Sequence, residues 1–234
     1  MKQAGKLFPQ VIANLIPQII IIKLKNFPFD TVSLDADEIQ ALEDTYKELK
    51  RKFSIGLPNE SEQHINKFEI FNNIPGAKLG GTLLINYPSA NCYLNFVKFS
   101  YQNSMGGRGG KGGQVTQYDK YQVWAFADLK SDFGRVLIRR ETFTDRVLEI
   151  FHPVELKFND DRIFSSHFYV VANDNEKAKA AMTSAFRNIL VEMMYKDFVV
   201  EIINTVIVIR TIQPVTPDHT VHLAEFVNKL SQLT

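Results

Sequence analysis

The sequence predicts an α+β fold with an N-terminal helical segment, a mostly antiparallel central sheet and a C-terminal ββαββα unit. Three observations carry that expectation. Apolar residues recur every three or four positions from Ile39 to Phe53, β-branched and aromatic residues crowd the middle of the chain between turn signals, and the last third runs strand, strand, helix, strand, strand, helix. The chain accordingly divides into an N-terminal helical segment at 1–55, a β-rich region at 56–150 and a ββαββα unit at 151–234, expected to form one continuous body. Its 234 residues, 45% hydrophobic and 23% charged, suffice to bury roughly 70% of the surface of the unfolded chain.

Met1 to Lys25 carries Lys2, Lys6, Lys23 and Lys25 and no acid, around the apolar run Ile19 to Ile22. Pro9, Gln10, Asn14, Pro17 and Gln18 interrupt it, so no transmembrane helix of about 20 apolar residues can be drawn. The prolines and the missing small-residue cleavage pattern also argue against a signal peptide. The expectation is a short helix at Phe8 to Leu15 and a buried strand at Gln18 to Leu24, with residues 1–25 as the surface through which a membrane would be met.

Asp35 followed by Glu38 is an Asp form of the capping box, and behind it Ile39, Leu42, Tyr46, Leu49 and Phe53 make one apolar stripe of a helix. Glu43 with Lys47 and Glu48 with Lys52 are spaced to pair on its outer face. From Gly56 to Gly81, turn residues surround a strand candidate at Lys67 to Phe71. Gly81 to Tyr87, Cys92 to Tyr101, Tyr121 to Leu129 and Gly134 to Ile138 read as strands; in the second, apolar residues on both alternating sets predict two covered faces. Asn103 to Gln117 is a glycine-rich loop expected to be mobile and to join neighbouring strands.

In the last third, Val154 to Phe158 and Ser166 to Ala172 read as strands. Asn173 or Asp174 then caps one long helix with Ala178, Met182, Ala185, Phe186, Ile189, Leu190 and Met193 on its apolar face. Phe198 to Ile203 and Val206 to Ile212 make a hairpin whose Asn204-Thr205 turn lacks the glycine a type I′ turn prefers. Thr216 with Pro217 starts the final helix, which turns Leu223, Ala224, Val227 and Leu230 inward.

Chemistry is sparse. The 27 basic and 26 acidic residues nearly cancel, so no global field attracts nucleic acid. Cys92 is the only cysteine, which excludes an intramolecular disulfide and a cysteine-based zinc site and fits a reducing compartment. Gly107-Arg-Gly-Gly-Lys-Gly112 matches the dinucleotide fingerprint formally, but strand-like sequence rather than a helix follows it. What remains there is Arg108 and Lys111 as weak anion-contact candidates, too few for strong nucleic-acid binding.

Asp160-Asp161 could act as an acid-base pair, yet Asn159-Asp-Asp reads as a turn, and adjacent side chains converge only in irregular backbone. His219, His222 and Glu225 share helical turns at metal-ligand spacing but have no second ligand cluster. Arg139-Arg140-Glu141 and Asp145-Arg146 read as solvated ion pairs, and Trp124, Phe126, Phe164, Phe168 and Tyr169 as sheet core. No catalytic, cofactor-binding or metal-binding residue is assigned.

Val154-Glu-Leu-Lys-Phe158, Phe164, Phe168-Tyr-Val170, Asp174, Ala178 and Met182-Thr-Ser-Ala-Phe186 form a pattern that continues upstream in Lys78-Leu-Gly-Gly-Thr82, the Tyr121 to Leu129 strand and Arg135-Val-Leu-Ile138. Over roughly residues 75–212 this resembles an uncharacterised bacterial family, a domain of unknown function. The resemblance implies a module held at the cytoplasmic face of a membrane by a pair of preceding transmembrane helices, a pair not visible in this chain. The expected function is therefore a non-enzymatic interaction or membrane-proximal scaffold module in a bacterial cytoplasm, with a protein partner or a membrane surface. The alternative is an enzyme whose residues converge only in three dimensions.

Overall fold

Asp35 caps the first helix among the described residues, as its spacing predicts. Its carboxylate accepts the Glu38 amide at 2.8 Å, and α1 runs from Ala36 to Lys52 with Leu42, Thr45 and Leu49 buried. Lys47 reaches Glu43 at 3.4 Å on the outer face, whereas Glu48 takes Arg51 at 2.6 Å in place of the expected Lys52, because a guanidinium grips a carboxylate with two bonds.

The computed structural model describes residues 27–58, 65–88, 90–104, 115–140 and 154–233. The expected helix Phe8 to Leu15, the strand Gln18 to Leu24, the glycine run at 105–114 with Arg108 and Lys111, and the charged stretch beyond Arg140 lie outside them. Thr31–Thr234 is one compact unit; of the unit before it, 27–30 is described, with the Phe27 and Phe29 rings edge-on at 4.9 Å.

Among the described residues nine strands form one sheet: β1 (Ile55–Gly56), β2 (Lys78–Asn86), β3 (Asn91–Ser104), β4 (Val115–Asp128), β5 (Arg135–Arg140), β6 (Val154–Glu155), β7 (Phe168–Ala172), β8 (Phe198–Ile203) and β9 (Val206–Thr211). Their order is β1-β2-β3-β4-β9-β8-β5-β7-β6, and every pairing is antiparallel. The fold is α+β, as predicted. Because β5 lies between β8 and β7 while β9 pairs with β4, strands from the middle of the chain and from its last third interleave in one sheet.

The remaining helices are α2 (Glu69–Asn72), preceded by a 3-10 turn at Ile65–Lys67, α3 (Arg162–His167), α4 (Asn175–Ala181), α5 (Ser184–Val191) and α6 (Pro217–Gln232). Thr216 caps α6, accepting the His219 amide at 3.3 Å, and Pro217 occupies its first turn. The apolar face of α6, with Leu223, Ala224, Val227 and Leu230 fully buried, lies against β3 and β4, and α1 packs on α6. The opposite face of the sheet carries a second core, in which Val97, Phe99, Trp124, Phe126, Val199 and Val208 meet Ile65, Phe68 and Ile70 from the 65–74 segment. Two covered faces explain why β3 is apolar on both alternating sets.

Five expectations need correction. The loop expected at Asn103 to Gln117 is shorter, because β3 and β4 pair as far as Ser104 and Val115. Lys67 to Phe71 is not a strand: Phe68 and Asn72 donate to local carbonyls, and the stretch forms the 3-10 turn and α2. Val154 to Phe158 pairs with β7 only at Val154–Glu155, with one further bond from the Leu156 amide to Val170. Ser166 and His167 end a helix rather than begin a strand, since Asp161 accepts the Phe164 amide at 3.0 Å and starts α3. The single long helix after Asp174 is two, α4 and α5. Thr183 accepts the Phe186 amide and starts a new helix, while Arg187 donates to the freed Met182 carbonyl at 2.9 Å.

The β8–β9 turn dispenses with glycine because Asn204 takes φ of 55°, a left-handed conformation Asn tolerates. In β2, the register slips between Leu79 and Gly81, and a Cβ on Gly80 would lie inside the Tyr121 ring.

His219 shows how the helix layer is tied to the sheet. Thr211 donates its hydroxyl to the Val123 carbonyl at 3.0 Å, so its oxygen must accept from His219 Nε2, also at 3.0 Å. That sets the tautomer and leaves Nδ1 a buried acceptor with no partner among the described residues, so a second proton placed on it would meet no acceptor there. Burial, with Lys196 and His222 acting in the same direction, pushes the His219 pKa down from 6.5 to about 4. The unfolded chain therefore binds this proton first, and stability present above pH 6.5 is lost as pH falls towards about 4, by at most about 3 kcal/mol. The non-titrating His219→Gln should flatten urea-unfolding midpoints over that window relative to wild type; parallel profiles would contradict the assignment. Gly80→Ala should destabilise by about 1–3 kcal/mol through overpacking against Tyr121, read in the same titration.

Candidate functional site

Strand alternation puts Val199, Glu201 and Ile203 on the face of β8 opposite the α6 layer, with Glu201 registered between Leu137 of β5 and Val208 of β9. A carboxylate there has no water. Glu201 is fully buried and is satisfied twice: Oε2 accepts the Ile70 amide at 3.0 Å and Oε1 accepts Arg135 Nη2 at 2.8 Å. The same Nη2 reaches Glu69 Oε1 at 2.6 Å. Burial raises the Glu201 pKa and the Glu69 charge adds to that, against the opposing pull of the Ile70 amide and Arg135.

This clasp pins α2 over the sheet. Phe68 meets Phe126 edge-on with centroids 5.4 Å apart, and Phe71 meets Trp124 the same way at 5.8 Å. Next to it, between the 65–68 turn and strands β2, β3, β4 and β9, the surface opens into a cleft of about 470 Å³. Ile65, Phe68, Tyr93, Phe126, Ile203 and Val206 supply apolar or aromatic walls. Thr82 and Asn95, cross-strand neighbours only 6% and 5% exposed, supply the polar one, with the Thr82 hydroxyl donating to Asn95 Oδ1 at 2.5 Å. Lys67 and Asp128 stand exposed at the rim with opposite charges.

The β8–β9 turn forms another edge of the cleft, and its main chain is already committed. The Asn204 carbonyl accepts Phe133 at 2.9 Å and the Thr205 carbonyl accepts Leu129 at 2.6 Å. Among the described residues, no Ser, Cys or His lines the cleft; of its two threonines, Thr82 donates to an amide, which is no base, and Thr205 lies on the β8–β9 turn. The cleft can hold a molecule, and its Thr82 hydroxyl is spent on an amide rather than on a base.

The sequence-derived candidates lie elsewhere. Arg108 and Lys111 fall outside the described residues. Asp160 and Asp161 do converge, because a turn breaks strand alternation there, but on a guanidinium: Arg187 bonds Asp160 at 2.6 Å and Asp161 at 3.0 Å and stacks over Phe158 at 4.6 Å. Burial acts to raise the Asp161 carboxyl, yet the Phe164 amide and Arg187 outweigh it and hold it below the usual range. Cys92 is buried, its thiol pushed up to about 12 by burial, with Ser231 opposing and Asp128 adding. Arg140 pairs with Asp197 at 3.1 Å and Arg139 stacks over Tyr169 at 4.6 Å. Among the described residues, no three His, Cys, Asp or Glu are placed to hold a metal ion. Trp124, Phe126, Phe164 and Phe168 are buried in the sheet core.

The sequence reading missed the cleft. One signal pointed to it: Asn95 stands among Tyr93, Val97 and Phe99, a polar residue on an otherwise apolar strand face.

No protein-family model and no curated protein matches the chain. Among solved structures it is similar to the mycobacterial trehalose monomycolate transport factor A, TtfA, at 9% identity and a TM-score of 0.49, over 81% of this chain and 93% of that one. A likeness this slight carries no functional argument.

Glu201→Ala would leave the Ile70 amide without its acceptor and Arg135 facing Glu69 without the second carboxylate. It should destabilise by about 3–5 kcal/mol in urea unfolding and abolish slow hydrogen exchange at the Ile70 amide. Glu201→Gln keeps an acceptor and should lose about 1–2 kcal/mol. Retained protection of Ile70 in Glu201→Ala would show that α2 is held by apolar packing alone.

Proposed function

We propose that the chain is a non-catalytic binding module that holds a partner group in the cleft beneath the 65–68 turn. The observation that carries this reading is how the titratable groups are distributed. Glu201 and His219, the buried carboxylate and imidazole with displaced pKa values, lie outside the cleft lining and are spent on structural hydrogen bonds. An enzyme site would bring such groups to the cavity wall. Here the wall carries aromatic and aliphatic surface with a few oriented polar groups, the composition of recognition sites, at a volume inside the ~300–1,000 Å³ range of small-molecule clefts.

This keeps the non-enzymatic half of the expectation from sequence and puts recognition in a concavity. No helix among the described residues is long and apolar enough to cross a membrane. A reducing cytoplasm is the compartment proposed, supported by Cys92, the sole cysteine, being a buried free thiol. Attachment through residues 1–25 to a membrane surface, or to a protein partner, remains part of the proposal; its support is the basic, acid-free sequence there.

A thermal-shift screen of small neutral and charged fragments tests the reading, run on wild type and on Val206→Trp, whose indole fills the cleft from the β9 side. Hits should raise the wild-type melting temperature, leave the variant unmoved and be recovered chemically unchanged by mass spectrometry. Hits that act equally on both proteins, or that are consumed by the wild type alone, would count against a non-catalytic cleft.

A further inference from the structure

We infer that the cleft takes an uncharged molecule with an apolar body and an oxygen acceptor, and that the acceptor receives the side-chain amide of Asn95. This rests on the cleft being the binding site proposed above, and adds the class of ligand.

Asn95 is 95% removed from solvent yet lines the cleft. Its Oδ1 is turned to the Thr82 hydroxyl, and its Nδ2 is not among the buried side-chain atoms that lack a partner, so the donor is open to solvent through the cleft. An amide with two donors open to a cleft with apolar walls is met by water there, and a carbonyl, ether or hydroxyl oxygen is the group that accepts from it in place of that water. Thr82 adds direction, because holding Oδ1 fixes which way the amide points.

The apolar walls set the rest of the ligand. Phe68 and Phe126, already edge to edge at 5.4 Å, and Ile203 and Val206 offer contact area but no charge. The two charged side chains, Lys67 and Asp128, are exposed at the rim and of opposite sign, so neither net charge is favoured at depth. An ion placed against Asn95 would lose its hydration without meeting a counter-charge, which selects against phosphates, carboxylates and amines as the buried group.

Two fluorescent probes separate the parts of this inference: prodan, a neutral naphthalene bearing a ketone, and phenylnaphthylamine, a neutral aromatic without oxygen. Prodan should bind the wild-type chain one to one with blue-shifted emission. The double variant Thr82→Val with Asn95→Leu leaves no orphan hydroxyl; with an unchanged near-ultraviolet circular dichroism spectrum, it should weaken prodan about tenfold and phenylnaphthylamine about twofold or less. Val206→Trp should remove both. Equal prodan affinity in wild type and double variant, with binding still lost in Val206→Trp, overturns the acceptor assignment and spares the cleft. Undiminished binding of both probes to Val206→Trp overturns the cleft reading itself. Failure of both probes to bind the wild type overturns the ligand class.

Discussion

A carboxylate in the middle of a nine-stranded sheet, with strands on both sides and a helical segment above, can stay only if each oxygen is met. Glu201 is met by a backbone amide and a guanidinium, and that pair of bonds decides where the 65–74 segment sits. Were the carboxylate left uncompensated, desolvation would outweigh the packing that surrounds it. With it compensated, α2 is pinned above β8, Phe68 and Phe71 reach their aromatic partners on β4, and the turn before them overhangs the sheet. The cleft is the space under that overhang.

The same economy of polar groups recurs wherever backbone pairing stops. β4 pairs with β9 only from Trp124 to Asp128; beyond that, its exposed edge is met by side chains, the Thr211 hydroxyl taking the Val123 carbonyl and Glu38 of α1 accepting the Tyr121 amide. Edges closed in this way are poor templates for further strands. The Thr211 hydroxyl in turn orients His219, so one threonine links a strand edge, the neighbouring strand and the last helix. Arg187 does a comparable task at the other end, collecting Asp160, Asp161 and the carbonyl freed where α4 breaks from α5.

Glu201, Asp161 and Arg187 are matched to named partners, whereas His219 and Cys92 are kept neutral by burial. Asn95 differs in character: it cannot titrate, and while its Oδ1 takes the Thr82 hydroxyl it also lines the cleft.

Much of the architecture was legible from local chemistry. Asp35, Asp174 and Thr216 with Pro217 announced helix starts because a cap is a contact over three residues, and alternation in β3 announced two covered faces because strand periodicity is local. Failures came where a distant group took over. Lys67 to Phe71 has a strand's composition, but Glu201, far along the chain, claims the Ile70 amide; the helix after Asp174 has one apolar stripe, but Arg187 stabilises a break at Met182. The cleft was illegible for the same reason: Asn95 and Thr82 are thirteen residues from each other in a strand pair, while Phe68, Phe126 and Val206 come from three separate stretches. By itself the sequence determined the fold class, most helix and strand positions and the absence of a recognisable catalytic motif, since all of these depend on neighbours in the chain. Strand order, the seat of α2 and the existence of the cleft were decided only by tertiary structure, because they depend on which distant partner satisfies each buried polar group.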